Sequence, residues 1–476
     1  MRRPSVRLTI AGTAAATAVL GLTATPSGAA TGPDWSGYLH GPAHSSAQFG
    51  DSAVSTSTVA SLHKLWSFTA GPSSQAGAPA PRFDASPTVV GGRIFIGSRT
   101  GIFYALDATT GAVLWSKQLD FGSSTACAAK GIVGTATVAN DPVSGASTVY
   151  APGSHYLYAL DPATGAQRWR TSIGPATADG VARWYNWSSP TVIGGRIEMG
   201  LARGREANKI RGGVVQLDQH TGAVLHTYYA VPAGKVGASV WSSVASDGTS
   251  VWATTGDPDT AKVYDAFSIV RLSAGTLAKQ EKWTVSIPAS QDLDFGSSPT
   301  FFTATIGGTA TNLIGACNKN GIFYAWRRTN LAAGPVWQRQ VGATGGTGTG
   351  ACLTSPAFDG PGATLYVAAN QTTVNGSSVP GSVRALNPAT GAVVWTSPLA
   401  CLPNGSPSLN ATTHVLAVPL YGCSGSATPG VALFNATTGA LLRTLTTAKS
   451  VFAQAIFAEG MLLVADDSGV ITAYGP

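Results

Sequence analysis

The chain runs to 476 residues, with 58 glycines, 44% hydrophobic side chains and only 11% charged ones. So apolar a chain excludes a disordered polypeptide, and a formal charge of +7 on scattered Lys and Arg, with no basic run of five, excludes the charge pattern of a nucleic-acid-binding protein. Abundant turn-forming glycine beside so few charges predicts an all-β protein of many short strands.

The N-terminus reads as an export signal. Arg2, Arg3 and Arg7 form a basic start, Leu8 to Thr25 an apolar stretch, and "SGAA" a small-residue cleavage site near Ala29 or Ala30. Residues 1–30 are therefore predicted to be removed, leaving a secreted protein of residues 31–476; an uncleaved anchor is the alternative. No other stretch approaches the roughly 20 apolar residues of a membrane span.

Internal repetition dominates the rest. "FYALDATTGAVLW" (103–115) recurs as "LYALDPATGAQRW" (157–169) and "VRALNPATGAVVW" (383–395), with weaker copies at 214–226, 268–283, 323–337 and 431–443. In each, an apolar strand ends at Leu-Asp, "ATTG" turns the chain, and "AVLW" returns it. Asp107 and Asp161 can accept from turn N–H groups, Gly111 and Gly165 tolerate positive φ, and Trp115 and Trp169 offer flat packing surfaces. A second hairpin precedes each one, as in "SPTVVGGRIFIGS" (86–98), so each unit holds four strands, the content of a propeller blade. Seven units run from 86 to about 447, and the last segment, 453–476, supplies three strands. "STVASLHKLWSF" (57–68) supplies the fourth, predicting an eight-bladed β-propeller of four-stranded antiparallel blades whose last blade is closed by an N-terminal strand. Seven blades with loose ends is the rival count. With no break in composition, residues 31–476 read as one domain.

Export makes disulfides possible among Cys127, Cys317, Cys352, Cys401 and Cys423. Cys401 and Cys423 share one repeat and are the predicted pair; the odd count leaves at least one thiol over. There is no CxxCH for a covalent haem, and no GxSxG, HExxH or Walker A pattern.

The repeats resemble the tryptophan-docking repeats of the quinoprotein dehydrogenases, enzymes that carry pyrroloquinoline quinone (PQQ) in an eight-bladed propeller. Non-catalytic propellers share the repeat, so it speaks for architecture first. Three segments go further and look like cofactor-binding parts of the alcohol-oxidising members, polyvinyl alcohol dehydrogenases among them. By that resemblance, in "GASVWSSVASDGTSVWATTGD" (237–257) Trp241 is the surface on which the planar quinone stacks, and Asp257 stands where the family has a metal-ligating Asn. In "REANKIRGGVVQLDQHTG" (205–222) Glu206 is implied as a Ca²⁺ ligand beside the quinone. In "NLIGACNKNGIFYAWRRTN" (312–330) Lys319 is implied as the donor to a quinone carbonyl.

The family also uses an aspartate near the metal to accept the alcohol proton. "GDPDTAKVYDAFSIVRL" offers Asp259 and Asp265, and Asp265 is the candidate both for that base and for a third metal ligand. In "DLDFGSSPT" (292–300) Asp294 is either channel-facing or part of a turn. Where many members have adjacent cysteines, this chain has Ala126-Cys127. The resemblance thus implies a PQQ- and Ca²⁺-dependent alcohol dehydrogenase acting on small or polymeric alcohols and passing electrons to a separate acceptor. The alternative is a non-catalytic secreted propeller that binds protein or polymer.

Overall fold

The computed structural model describes residues 32–476 except 122–130, 175–183, 204–209, 260–261, 289, 344–350 and 361–362. The predicted signal, residues 1–30, with Cys127 and Glu206, lies outside the described residues.

Eight antiparallel sheets follow one another along the chain. Blades 1 to 7 span residues 88–118, 137–172, 191–229, 245–284, 300–340, 357–399 and 408–446. Blade 8 comprises three strands from residues 456–475, completed by His63–Thr69, which pairs antiparallel with Val470–Gly475. The expected closure by an N-terminal strand is therefore present, and it removes the free edge that a seven-blade ring with loose ends would leave. Even the weak repeat at 268–283 forms regular strands, Ser268–Ser273 paired with Lys279–Thr284.

The middle strands are apolar on both faces because each blade is covered twice. The core is accordingly divided into eight clusters, one between each pair of neighbouring blades. In Arg93–Gly97, Ile94 and Ile96 face blade 8, whereas Phe95 faces blade 2. The tryptophans lock this stacking. Trp66 of blade 8 lies over Gly111 of blade 1, where an added Cβ would fall 2.4 Å from the indole, and its Nε1 donates to the Ala108 carbonyl at 3.0 Å. Trp115 does the same to Gly165 and Pro162, and Trp395 to Gly439 and Ala436. Gly111 and Gly165 have φ of 72° and 69°, so these glycines are required twice over, by conformation and by the neighbouring indole. Where blade 7 lacks the tryptophan, Arg443 instead donates to the carbonyls of Val59, Ala60 and Leu62.

Two features organise the hub. One position before each innermost strand forms a ring in which a backbone N–H donates to the side-chain hydroxyl of the next blade. The links run Ser86 to Thr135, Ser189, Ser243, Ser298, Ser355 and Ser406, and from Gln454 back to Ser86, at 2.9–3.0 Å. Below this ring the segment Trp35–Gln48 winds once around the axis. Its backbone bonds in turn to Val89, Val138, Ser246, Phe301, Phe358, Leu409 and Ala411, on blades 1, 2, 4, 5, 6 and 7, and Gln48 Nε2 reaches Phe457 O on blade 8. The segment gives the inner edges partners they would otherwise lack and stoppers one end of the channel. So tight a turn needs positive φ at four non-glycine residues, Leu39, His40, His44 and Ser46.

Candidate functional site

At the open end of the axis lies a cavity of about 760 Å³. Each blade offers it the arm leading into its innermost strand, and some blades also offer the turn joining their second and third strands. The arms supply Asp84, Val133, Trp187, Trp241, Gly296, Leu353, Asn404 and Phe452, one per blade, two residues ahead of the hydroxyl ring. The turns supply Arg99, Asp257, Lys319 and Tyr421. A charged side chain can thus sit at the hub while its neighbours in sequence stay in the core.

Blades 4 and 5 form one charged wall. Trp241 Nε1 donates to Asp294 Oδ2 at 2.9 Å. Lys319 Nζ donates to Asp292 Oδ1 at 2.7 Å and to Asp294 Oδ1 at 3.2 Å, and lies 5.8 Å from the centre of the Trp241 ring. Gly296 makes room for the indole, since a Cβ there would stand 2.8 Å from it. Asp257 faces Arg203 at 3.6 Å. Burial pushes the Asp294 carboxyl up to about 7; Lys319 opposes this, while Asp292 and Asp257 reinforce it. Burial works against Asp292 too, but its hydrogen bonds with Asp294 and Lys319 hold it below the usual carboxylate range. The two aspartates thus shift in opposite directions, Asp294 upward by burial and Asp292 downward by its hydrogen bonds. Lys319 is held in its charged form by the same two carboxylates, against its own burial.

The opposite wall, from blades 8 and 1, is a second charged cluster. Arg82 Nε contacts Asp84 Oδ1 at 2.5 Å and Asp467 Oδ1 at 3.1 Å, and Arg99 Nη1 contacts Asp84 Oδ2 at 2.8 Å. Burial, with Asp84 and Asp466 nearby, pushes Asp467 up to about 7 despite Arg82.

The structure thus brings Trp241, Lys319 and Asp257 to one cavity. It does not bring Asp265 there. That carboxylate accepts from Tyr228 Oη at 2.5 Å and Lys279 Nζ at 2.6 Å and pairs with Lys282 Nζ at 2.9 Å, and it is absent from the cavity lining. Burial opposes it, but these three partners keep it ionised below the usual range, so it has no open face for a substrate proton. Asp294 does face the cavity, together with Asp84, Asp257 and Asp292. Its signal was alternation: Leu293 and Phe295 are buried in the core, which turns Asp292 and Asp294 the other way. Arg82, Asp84 and Arg99 went unnoticed because, although all belong to blade 1, they lie outside its repeat signature, and their partner Asp467 comes from blade 8.

The predicted Cys401–Cys423 bond is present. A second, Cys317–Cys352, ties blade 5 to the arm of blade 6, flanking Lys319 and Leu353. Among the described residues no three His, Cys, Asp or Glu stand close enough to hold a metal ion by themselves.

Comparison with known proteins agrees with the fold. Residues 379–475 match the outer membrane protein assembly factor BamB family. The chain is 27% identical over 357 residues to a polyvinylalcohol dehydrogenase of Pseudomonas sp, covering 65% of this chain and 52% of the relative. It is also 27% identical over 315 residues to one from Sphingopyxis sp. (strain 113P3), covering 53% of this chain and 44% of that protein. It therefore spans about half the length of the curated relatives it matches. Among solved structures, the quinohemoprotein alcohol dehydrogenase of Comamonas testosteroni superposes with a TM-score of 0.73 at 17% identity over 93% of this chain and 80% of that one, a likeness of fold. Residues 35–287, more than half the chain, match the PQQ family described as glucose/ethanol/alcohol dehydrogenase, beta-propeller domain, and the chain belongs to that family.

Proposed function

We propose that the protein is an exported PQQ-dependent alcohol dehydrogenase, with residues 31–476 forming a single propeller domain behind a cleaved leader. The observation that carries this reading is the joint placement of Trp241, Asp294 and Lys319 on one cavity wall, with a hydrogen bond from indole to aspartate at 2.9 Å. The donor set fits a flat, polyanionic quinone. Trp241 offers an aromatic face, Lys319 a buried cation, and Arg82 and Arg99 across the cavity two further cations that would suit the carboxylates of such a quinone. When bound there, PQQ supplies the two-electron acceptor for alcohol oxidation. Lys319 would help hold the group by donating to a quinone carbonyl, where its charge would favour reduction. Asp294, rather than Asp265, accepts the alcohol proton, and Trp241 keeps its carboxylate oriented by holding Oδ2.

A Ca²⁺ ion belongs to the same proposal. Asp257 would supply a hard oxygen ligand and sits close enough to raise the Asp294 pKa; Glu206, the ligand implied by the resemblance, lies outside the described residues, and the notion of Asp265 as a third ligand is dropped on the geometry above. Electrons then pass to a separate acceptor, and the substrates are small or polymeric alcohols.

The test is to titrate the purified protein with PQQ and Ca²⁺ while following tryptophan emission, then to assay dye reduction by primary, secondary and polymeric alcohols. Quenching that is lost in Trp241→Ala, with alcohol-dependent turnover removed by EDTA, is the expected result. Absence of both quenching and turnover overturns the reading. One observation favours a second reading, a non-catalytic binding scaffold: residues 379–475 match an assembly-factor family. A protein that binds no quinone yet folds normally would decide for it.

A further inference from the structure

Two cavity cations, Arg99 and Lys319, are delivered by the same backbone frame in different blades. In blade 1 the turn runs Gly97-Ser98-Arg99-Thr100-Gly101-Ile102, and in blade 5 Cys317-Asn318-Lys319-Asn320-Gly321-Ile322. Ser98 N donates to Ile102 O at 2.9 Å and Asn318 N to Ile322 O at 3.0 Å; Gly101 N donates to Ser98 O and Gly321 N to Asn318 O, both at 2.9 Å. Each cation's own N–H is also pinned to the arm of its blade, Arg99 N to Arg82 O at 2.9 Å and Lys319 N to Asp294 O at 3.0 Å. The two junctions differ at one pair of positions. At the Arg99 junction, Ile132 from the arm of blade 2 packs on Gly97, where an added Cβ would collide with its Cγ2. At the Lys319 junction the corresponding residues are Cys317 and Cys352, from the arm of blade 6, and the contact is covalent. Both cysteines are wholly buried.

We infer that Cys317–Cys352 is a positioning bond of the cavity wall, fixing Lys319 and Leu353 around Trp241 in the folded protein. Cys317 stands two residues before Lys319, whose Nζ ties Asp292 and Asp294 together. Cys352 is followed by Leu353, which shares with Trp241 the hollow over Gly296: a Cβ there would collide with Leu353 and stand 2.8 Å from the indole. Among the described residues one backbone hydrogen bond, Ala351 N to Lys319 O at 3.1 Å, joins this turn to this arm, so the sulfur bridge is the main tie between them. Around Cys401–Cys423 the case is different. There Leu402 N donates to Gly422 O at 3.2 Å and Tyr421 N to Leu402 O at 2.8 Å, and the backbone already holds what the bridge holds. The chemistry of the two cations explains why only one junction is covalent. Arg99 grips Asp84 through a rigid planar guanidinium, whereas Lys319 is a single ammonium on a flexible stem, placed only as well as its backbone is placed. This role is distinct from loop closure, by which a disulfide restrains the unfolded chain. The inference rests on the proposed quinone reading only for its consequence, that the bond raises affinity for the cofactor.

The experiment compares wild type with three variants of the full chain, all prepared without PQQ. Cys317→Ser with Cys352→Ser removes the bond. Cys317→Gly with Cys352→Ile replaces it by the pair that blade 1 uses, so the space stays filled, and this variant decides the matter if the serine variant does not fold. Cys401→Ser with Cys423→Ser is the control. Amide hydrogen exchange across residues 318–321 and 351–353 should quicken about tenfold or more in the first two variants, and less than about threefold in the control. The dissociation constant for PQQ, measured by equilibrium dialysis, should rise about tenfold in the first two and stay within about twofold in the control. A bridge that acts only on the unfolded chain would lower the melting temperature while leaving local exchange and PQQ affinity unchanged, and that result overturns the inference. A control that loosens the Lys319 turn as much as the first two variants overturns it as well. If wild type binds no PQQ, the redox reading falls and the exchange rates alone decide the inference. If wild type binds PQQ and exchange is unaltered in the variants, the redox reading stands and the inference falls.

Discussion

Glu198 offers a stability prediction that is independent of any ligand. It sits in Arg196–Arg203, the strand that delivers Arg203 to the cavity wall, and it is completely buried. Its Oε1 accepts from Gln216 Nε2 at 3.1 Å, but its Oε2 and the Gln216 Oε1 have no partner. Burial pushes its carboxyl from 4.5 up to about 7, and Gln216 and Arg196 reduce that only in part. A raised folded-state pKa means the protonated form is the stable one inside the protein. Below pH 4.5 both states are protonated and nothing is lost; between pH 4.5 and about 7 stability falls as the unfolded chain releases its proton first. Each tenfold difference in proton affinity is worth about 1.4 kcal/mol, so the loss levels off at about 3 kcal/mol above pH 7. Thermal unfolding of wild type and Glu198→Gln between pH 5 and 8.5 checks this. The two should melt alike near pH 5, and the variant should melt several degrees higher at pH 8. A variant that melts lower than wild type at every pH would refute the reasoning, because it would mean that Glu198 is ionised and paired in the folded protein.

Five further outcomes follow from the geometry. Asp294→Asn should cut alcohol-dependent dye reduction by about 10²–10⁴-fold with little effect on melting, whereas Asp265→Asn should leave turnover in place and lower the melting temperature by stranding Tyr228, Lys279 and Lys282. Gly165→Ala should cost about 1–3 kcal/mol in a denaturant titration, because φ is 69° and the new Cβ would meet Trp115 at 2.7 Å. Gly145→Ala, with φ of 70° but open space around it, should cost about 1 kcal/mol and so isolate the backbone part. Replacing both Cys317 and Cys352 by Ser should destabilise by up to about 4 kcal/mol, the loop-closure value for a separation of 35 residues.

The repeat alone determined the architecture, and the reason is that its instructions are local. Asp107 accepts from the N–H groups of Thr109 and Thr110 two and three residues away, Gly111 takes the positive φ of the same turn, and Trp115 closes the same hairpin. Repeating that unit dictates the stacking, since Trp66, Trp115, Trp169, Trp337 and Trp395 each meet a positive-φ glycine turn on the next blade. Closure through His63–Thr69 was legible for the same reason, because 453–476 lacked one strand and 57–68 had a spare one. Cys401 and Cys423, within one blade, could be paired from sequence, whereas Cys317 and Cys352 join two blades and could not. What surrounds the axis depends on residues far apart in the chain. Asp265 was the candidate base by family resemblance, yet folding buries it against Tyr228 and two lysines, while the unassuming Asp294 is turned to the cavity by Leu293 and Phe295. Arg82 and Asp467 lie 385 positions apart and still meet at 3.1 Å, because ring closure makes the last blade a neighbour of the first. The stopper is the extreme case: Trp35–Gln48 has no repeat signature, and only the completed ring creates the inner edges to which it binds. Local turn chemistry is written residue by residue, but a hub shared by eight blades exists only once all eight are in place.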